Sequence, residues 1–224
     1  MTPNTTLPHA GAPVYATGAP LESADLVVIL VHGRGANAAD ILGLAADIVP
    51  AGAEERIAFL APDADGNVWY PQPFRQPLAA NEPWLTGALA KLDALVDHVR
   101  SVRADRPDLP IVVGGFSQGA CLSLEYLARS SRPVAGVAAF SGALIGPSIA
   151  DRMPIGDLAG RWVFLGCGDR DQFFTLDIAQ DSATALADAG ATVDFRTYPG
   201  MGHTINEDEV DAVRALLAQT LPPR

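Results

Sequence analysis

Cysteine is almost missing from this chain of 224 residues: Cys121 and Cys167 are its full complement. Two thiols make no disulfide framework, and neither stands in a C-x-x-C pair. Both fall in apolar surroundings, which predicts buried free thiols. An H-E-x-x-H stretch is also absent, and histidines and carboxylates nowhere cluster at ligand spacing, so no metal is expected. Basic residues are scarce. Fifteen Lys and Arg stand against 26 Asp and Glu, a net charge of −11. No basic patch can then be large, which argues against nucleic acid and anionic membrane surfaces as partners. Long apolar runs are lacking too: the most apolar, Leu26 to Val31, falls far short of the roughly 20 residues that span a bilayer. The first residues have neither the basic start nor the apolar centre of a signal peptide. These absences predict a soluble, cytoplasmic protein with no stable membrane insertion. Residues 1–20, rich in Pro, Thr and Ala, read as a loose lead-in.

A hydrophobic content of 49% suffices for one large core, and the length suits a single α/β domain over residues 1–224. Neither a repeat nor an internal linker divides it. Short β-branched runs alternate with helical patterns. "LVVILVHG", "RIAFLAPDA", "IVVGGFS", "VAGVAAFSG" and "RWVFLGCGD" read as strands buried on both faces, and "TVDFRTYPG" as a last, more alternating one. Leu85, Leu89, Leu92, Val96 and Val99 recur at helical spacing after Pro83. Further helices are predicted from Ser117 to about Ala128, from about Thr175 to Ala189, and from Asn206, an N-cap with Glu209 three residues on. Such alternation means a mostly parallel sheet with helices on both faces, whose working groups gather at the carboxyl ends of the strands.

At one such end stands G-x-S-x-G: Gly115, Phe116, Ser117, Gln118, Gly119. Serine at a strand-to-helix corner is either a plain N-cap or a nucleophile held on a tight, strained turn. A nucleophilic hydroxyl needs a base, and the base an orienting acid. Of four histidines, only His203 follows the serine, in "YPGMGHTI" after the last strand. His9 in the lead-in and His98 on a helix read as solvated. His32 ends a strand in "VHGRG", where the loop is either a simple turn or one whose Arg34 amide faces an oxyanion. Asp169 and Asp171, directly after the "FLGCG" strand, are both candidates for the acid, while Asp177, Asp181 and Asp188 fall on a helix surface.

With these residues placed, the chain resembles the phospholipase/carboxylesterase family of α/β-hydrolases, which includes the acyl-protein thioesterases. The resemblance runs from about residue 25 to 218 on "LVHGRGANAAD", "APDADGNVWY", "GGFSQGA", "FLGCGDRD" and "YPGMGHTI". It implies an α/β-hydrolase fold without a large cap domain, needing no cofactor and acting on esters or thioesters. It implies Ser117 as nucleophile, His203 as base, and the Arg34 and Gln118 amides as the oxyanion hole. Aligning "CGDRD" on the family's H-G-x-x-D sets Cys167 at the histidine place and Asp171 at the acid. A valine–proline pair usual after the acid is replaced by Gln172, Phe173 and Phe174. Trp69 and Tyr70 match a loop that borders the family's active site, or else pack beneath a proline-rich segment.

The reading is therefore a serine carboxylesterase acting on a small-molecule ester through an acyl-enzyme. A lactonase or peptidase on the same fold, and a non-catalytic homologue that binds a small ligand, are its alternatives, and a homodimer stays open. Trp69, Tyr70, Phe173 and Phe174 predict a narrow aromatic mouth that favours short to medium acyl chains.

Overall fold

The computed structural model describes residues 6–150 and 155–223. Its chain order is β1 (Val14–Gly18), β2 (Leu26–Val31), α1 (Ala38–Ile48), β3 (Ile57–Pro62), α2 (Trp84–Val102), β4 (Ile111–Phe116), α3 (Gln118–Arg129), β5 (Gly136–Phe140), β6 (Trp162–Gly168), α4 (Leu176–Asp188), β7 (Thr192–Tyr198) and α5 (Glu207–Thr220). All seven strands join one sheet in the order β1-β3-β2-β4-β5-β6-β7. Only β1 runs antiparallel, along β3; the other pairs are parallel.

Alternation along the central strands divides the core in two. Leu26, Val28 and Leu30 of β2 pack with Ile41 and Ile48 of α1 and with Val213 and Leu217 of α5. Val27, Ile29 and Val31 point the other way, into the layer built by α2, α3 and α4. A strand covered on both faces can be apolar throughout, and every residue of β2 and β3 is buried. Each such Val, Leu or Ile contributes roughly 1.5–3 kcal/mol by leaving water. Helix α3 lies deepest, buried from Gln118 to Ala128. α5 opens on the expected capping box, Asn206 with Glu209, and α1 opens on another, Asn37 with Asp40.

Two expectations need correction. Residues 14–18 of the supposed lead-in are an edge strand of the sheet, residues 1–5 lying outside the described residues. His9 is not solvated but fully buried. Its Nε2 faces the Trp69 carbonyl at 3.0 Å, its Nδ1 accepts from the Asp65 amide at 3.0 Å, and its own amide donates to the Asp65 carboxylate. These bonds fix a neutral imidazole protonated on Nε2, and burial pushes its pKa below the ordinary value. The segment before β1 is thus tied to the loop that carries Trp69 and Tyr70.

Candidate active site

β4 ends in glycines because the next element comes too close for side chains. A Cβ at Gly115 or at Gly119 would collide with the Val31 carbonyl of the neighbouring strand. Between them Ser117 turns the chain at φ 57° and ψ −117°, a conformation that costs an L residue about 1–3 kcal/mol. Its amide donates to the Phe140 carbonyl at 3.0 Å, which pins the turn to β5. Its side chain makes no capping hydrogen bond to α3. The hydroxyl is therefore not spent on the helix, and the N-cap explanation of this serine fails.

His203 lies in the loop between β7 and α5. Its Nδ1 meets Asp171 Oδ2 at 2.7 Å. The other oxygen of Asp171 accepts the amides of Phe173 at 2.8 Å and Phe174 at 3.1 Å, and the carboxylate is buried. An acceptor-only group at that distance requires a proton on Nδ1 and leaves Nε2 as the free basic nitrogen. The imidazole is held between rings, with Phe116, Phe173 and Phe174 centred 4.6, 4.8 and 5.7 Å away. Asp169 does different work. It is exposed, and its Oδ1 accepts from the Gly200 amide at 2.7 Å. With the bonds from the Asp169 and Arg170 amides to the Tyr198 and Met201 carbonyls, it ties the loop of Asp171 to the loop of His203.

His32 is structural. Its Nδ1 donates to the Gly33 carbonyl at 2.7 Å and its Nε2 accepts from the Ala64 amide at 3.1 Å. Burial lowers its pKa, so the ring is a neutral strut that shapes the Gly33–Arg34 turn. That turn lies beside the elbow: a Cβ on Gly33 would sit 3.5 Å from the Ser117 Cβ. Gln118 opens α3, so its backbone amide has no partner within the helix. Its side chain accepts from the Trp69 amide at 3.0 Å and donates to the Tyr70 carbonyl at 2.9 Å. Arg34 donates to the carbonyls of Tyr70, Pro71 and Gln72. Both side chains thus hold the 69–72 loop across the elbow.

Ser117 and His203 open into one cavity of about 620 Å³, within the usual range of small-molecule sites. Tyr70, Phe173 and Phe174 line it as the sequence suggests, but Trp69 does not. Trp69 is fully buried under the loop, its Nε1 donating to the His32 carbonyl at 3.0 Å. Phe74, Phe116 and Arg75 also line the cavity and escaped the sequence reading. Phe116 is visible in the sequence as the first of the two variable residues of the elbow motif. Cys121 and Cys167 are buried free thiols, each pushed up to about 12 chiefly by burial.

A sheet of this order with a serine elbow after β4 is an α/β-hydrolase fold, and solved structures with that architecture superpose on it. Residues 14–221 match the family model described as Phospholipase/Carboxylesterase, and the chain belongs to that family. It is similar to a crystal structure of a phospholipase/carboxylesterase from Dyadobacter fermentans, with 36% identity, a TM-score of 0.83, and coverage of 93% of this chain and 97% of that one. It is also similar to esterase PE8, at 26% identity and a TM-score of 0.73, over 94% of this chain and 98% of that one. Acyl-protein thioesterase 1 of Neurospora crassa is 32% identical over 123 residues, 54% of this chain and 49% of that protein. The chain thus spans about half the length of these curated relatives. Among the described residues, no helix is long and apolar enough to cross a membrane.

Proposed function

We propose that this protein is a serine carboxylesterase that works through an acyl-enzyme. One observation carries the reading: a serine on a strained elbow, its hydroxyl unspent, shares a cavity with a histidine whose Nδ1 is 2.7 Å from a buried carboxylate. Ser117 Oγ attacks the acyl carbonyl while His203 Nε2 takes its proton. The carbonyl oxygen becomes an oxyanion, and the amides of Arg34 and Gln118 stabilise it. When the tetrahedral species collapses, the bond to the leaving group breaks and His203 returns the proton to it. Water then attacks the acyl-serine with the same histidine as base, freeing the acid and Ser117. Asp171 stays ionised throughout, holding the tautomer and stabilising the imidazolium. No step calls for a cofactor.

Relatives named carboxylesterase and acyl-protein thioesterase support oxyesters and thioesters alike as substrates. The aromatic walls support short to medium acyl chains, so a butyryl ester should be cleaved faster than a palmitoyl one. A palmitoyl preference would contradict that reading of the cavity. The mechanism is tested by labelling with a fluorophosphonate and by Ser117→Ala. We expect the wild type to be labelled and the variant neither labelled nor active, with turnover down by several powers of ten. More than about a tenth of wild-type activity in a folded variant would reject Ser117 as nucleophile.

A further inference from the structure

The charge of the cavity is opposite to that of the molecule. The chain carries −11, yet among the described residues no aspartate or glutamate lines the cavity, whereas Arg34 and Arg75 do. Neither arginine lies within 4.0 Å of a carboxylate among the described residues, although most of the other described arginines, half-buried or buried, are paired; exposed Arg170 is not. Arg34 is held by the three backbone carbonyls of residues 70–72. The carbonyls take three of its five N–H donors and leave its charge whole. Arg75 is exposed on the segment between Phe74 and the turn at Leu78–Asn81. Asp177 on α4 feels Arg75 weakly: its carboxyl is held low chiefly by the Thr175 hydroxyl, with Arg75 the smallest contributor. The amino end of α3, at Gln118, adds its partial positive charge on the same side.

Two unneutralised guanidiniums around one opening, in a protein with so few cations, call for a purpose. The helix end and the amides beside Ser117 serve the oxyanion that develops during the reaction, and they would do so for a neutral ester. The arginine heads add nothing specific to that step. What they offer is a planar fork suited to a carboxylate or phosphate on the substrate itself. The surrounding acidic surface does not cancel this. At physiological salt, charges beyond a Debye length of about 8 Å are screened, so the distant acidic surface acts only weakly at the cavity mouth.

We infer that the preferred substrates are esters that carry an anionic group, a carboxylate or phosphate, which Arg75 and Arg34 receive at the cavity mouth while the aromatic walls take the apolar part. This deepens, and rests on, the esterase reading above.

Matched pairs of esters test it. Monoethyl glutarate against ethyl valerate puts the anion on the acyl side. The butyryl ester of 3-hydroxyphenylacetate, or of 3-hydroxybenzyl phosphate, against 3-cresyl butyrate puts a carboxylate or phosphate on the leaving group. We expect the anionic member of at least one pair to be favoured about fivefold or more in kcat/KM. Arg75→Gln should lower that ratio about threefold to fivefold, Arg75→Glu should lower it further, and salt at about 0.5 M should erode it in the wild type. Arg34 is left intact because it braces the loop. Ratios at or below one in every pair, or a ratio unmoved by Arg75→Glu, would overturn the inference. Binding of the same esters to Ser117→Ala, followed by calorimetry, separates this from failure of the esterase reading. If the wild type cleaves none of the esters, the esterase reading falls, while tighter binding of the anionic member still upholds the anion site and equal binding sinks it.

Discussion

Asp171 uses both of its oxygens: one on His203, the other on the amides of Phe173 and Phe174. The amides fix the carboxylate's direction, and the carboxylate fixes the ring. Asp171→Asn keeps the shape but can present an amide N–H to Nδ1, which puts the imidazole proton on the wrong nitrogen. Turnover should fall by about four powers of ten, with little change in melting temperature. Asp169→Asn should cost less than about tenfold, because the amide oxygen can still accept from the Gly200 N–H. Kinetics of the two variants on one ester decide the assignment, and a more crippled Asp169 variant would reverse it. The two aspartates look equivalent in "CGDRD", since a loop's direction is not written in its composition. Only the family's spacing separated them. What the sequence could not reveal is that β6 continues to Gly168, so that Asp169 sits beside the β7 turn and Asp171 beyond it.

The strand–elbow–helix unit of β4 and α3 was the most legible element, because its glycines, its valines and the helical run after Ser117 all agree. Its glycines also yield a prediction that runs against propensity. Alanine is a better helix former than glycine by about 1 kcal/mol, so Gly119→Ala inside α3 would be stabilising on local grounds. Here the new methyl would strike the Val31 and His32 carbonyls, which are backbone and cannot swing aside. Overpacking of this kind costs roughly 1–3 kcal/mol, so the clash wins. We expect Gly119→Ala to lower the melting temperature and, by pushing the elbow from β2, to reduce kcat on any ester. A variant as stable and active as the wild type would mean that the elbow has room to spare. By contrast, β1 and α1 went unread. Every residue of β1 is exposed on a sheet edge, so "VYATG" carries no burial pattern to read. For α1 the signal was present, since Asn37 and Asp40 form a capping box before a run of alanine and leucine, but it sits inside a stretch rich in glycine and alanine that reads equally as loop.

Across the whole molecule, burial has moved titratable groups in opposing directions, which bears on how stability depends on pH. Glu209, third residue of α5, is fully buried behind the loop that carries His203. Its Oε2 accepts the Asn206 amide in the capping box, but its Oε1 has no hydrogen-bond partner among the described residues and faces the bare backbone of Gly166. Burial is the main reason its carboxyl is pushed up from 4.5 to about 7; the Asn206 bond opposes this and neighbouring Asp208 adds to it. Glu209 in turn raises Cys167 and Tyr198, which lie close by. Between 4.5 and about 7 the folded protein therefore holds a proton that the unfolded chain has released. On this group's account, stability is greatest at acid pH, declines as pH rises through that interval, and is level above it. His9 and His32 act the other way. Their pKa values are lowered by burial from 6.5, so they favour the folded state at higher pH and withdraw that support as pH falls below 6.5. Glu209→Gln isolates the carboxyl from the histidines. The amide keeps an oxygen for Asn206 and cannot ionise, so it should be more stable than the wild type at about pH 8 by a few degrees. The two should converge towards about pH 5, where the wild-type carboxyl is protonated in the folded state. Melting curves of both proteins across that span provide the measurement. Parallel curves would show that Glu209 is ionised in the fold at all these pH values, and that the capping box and helix end outweigh its burial.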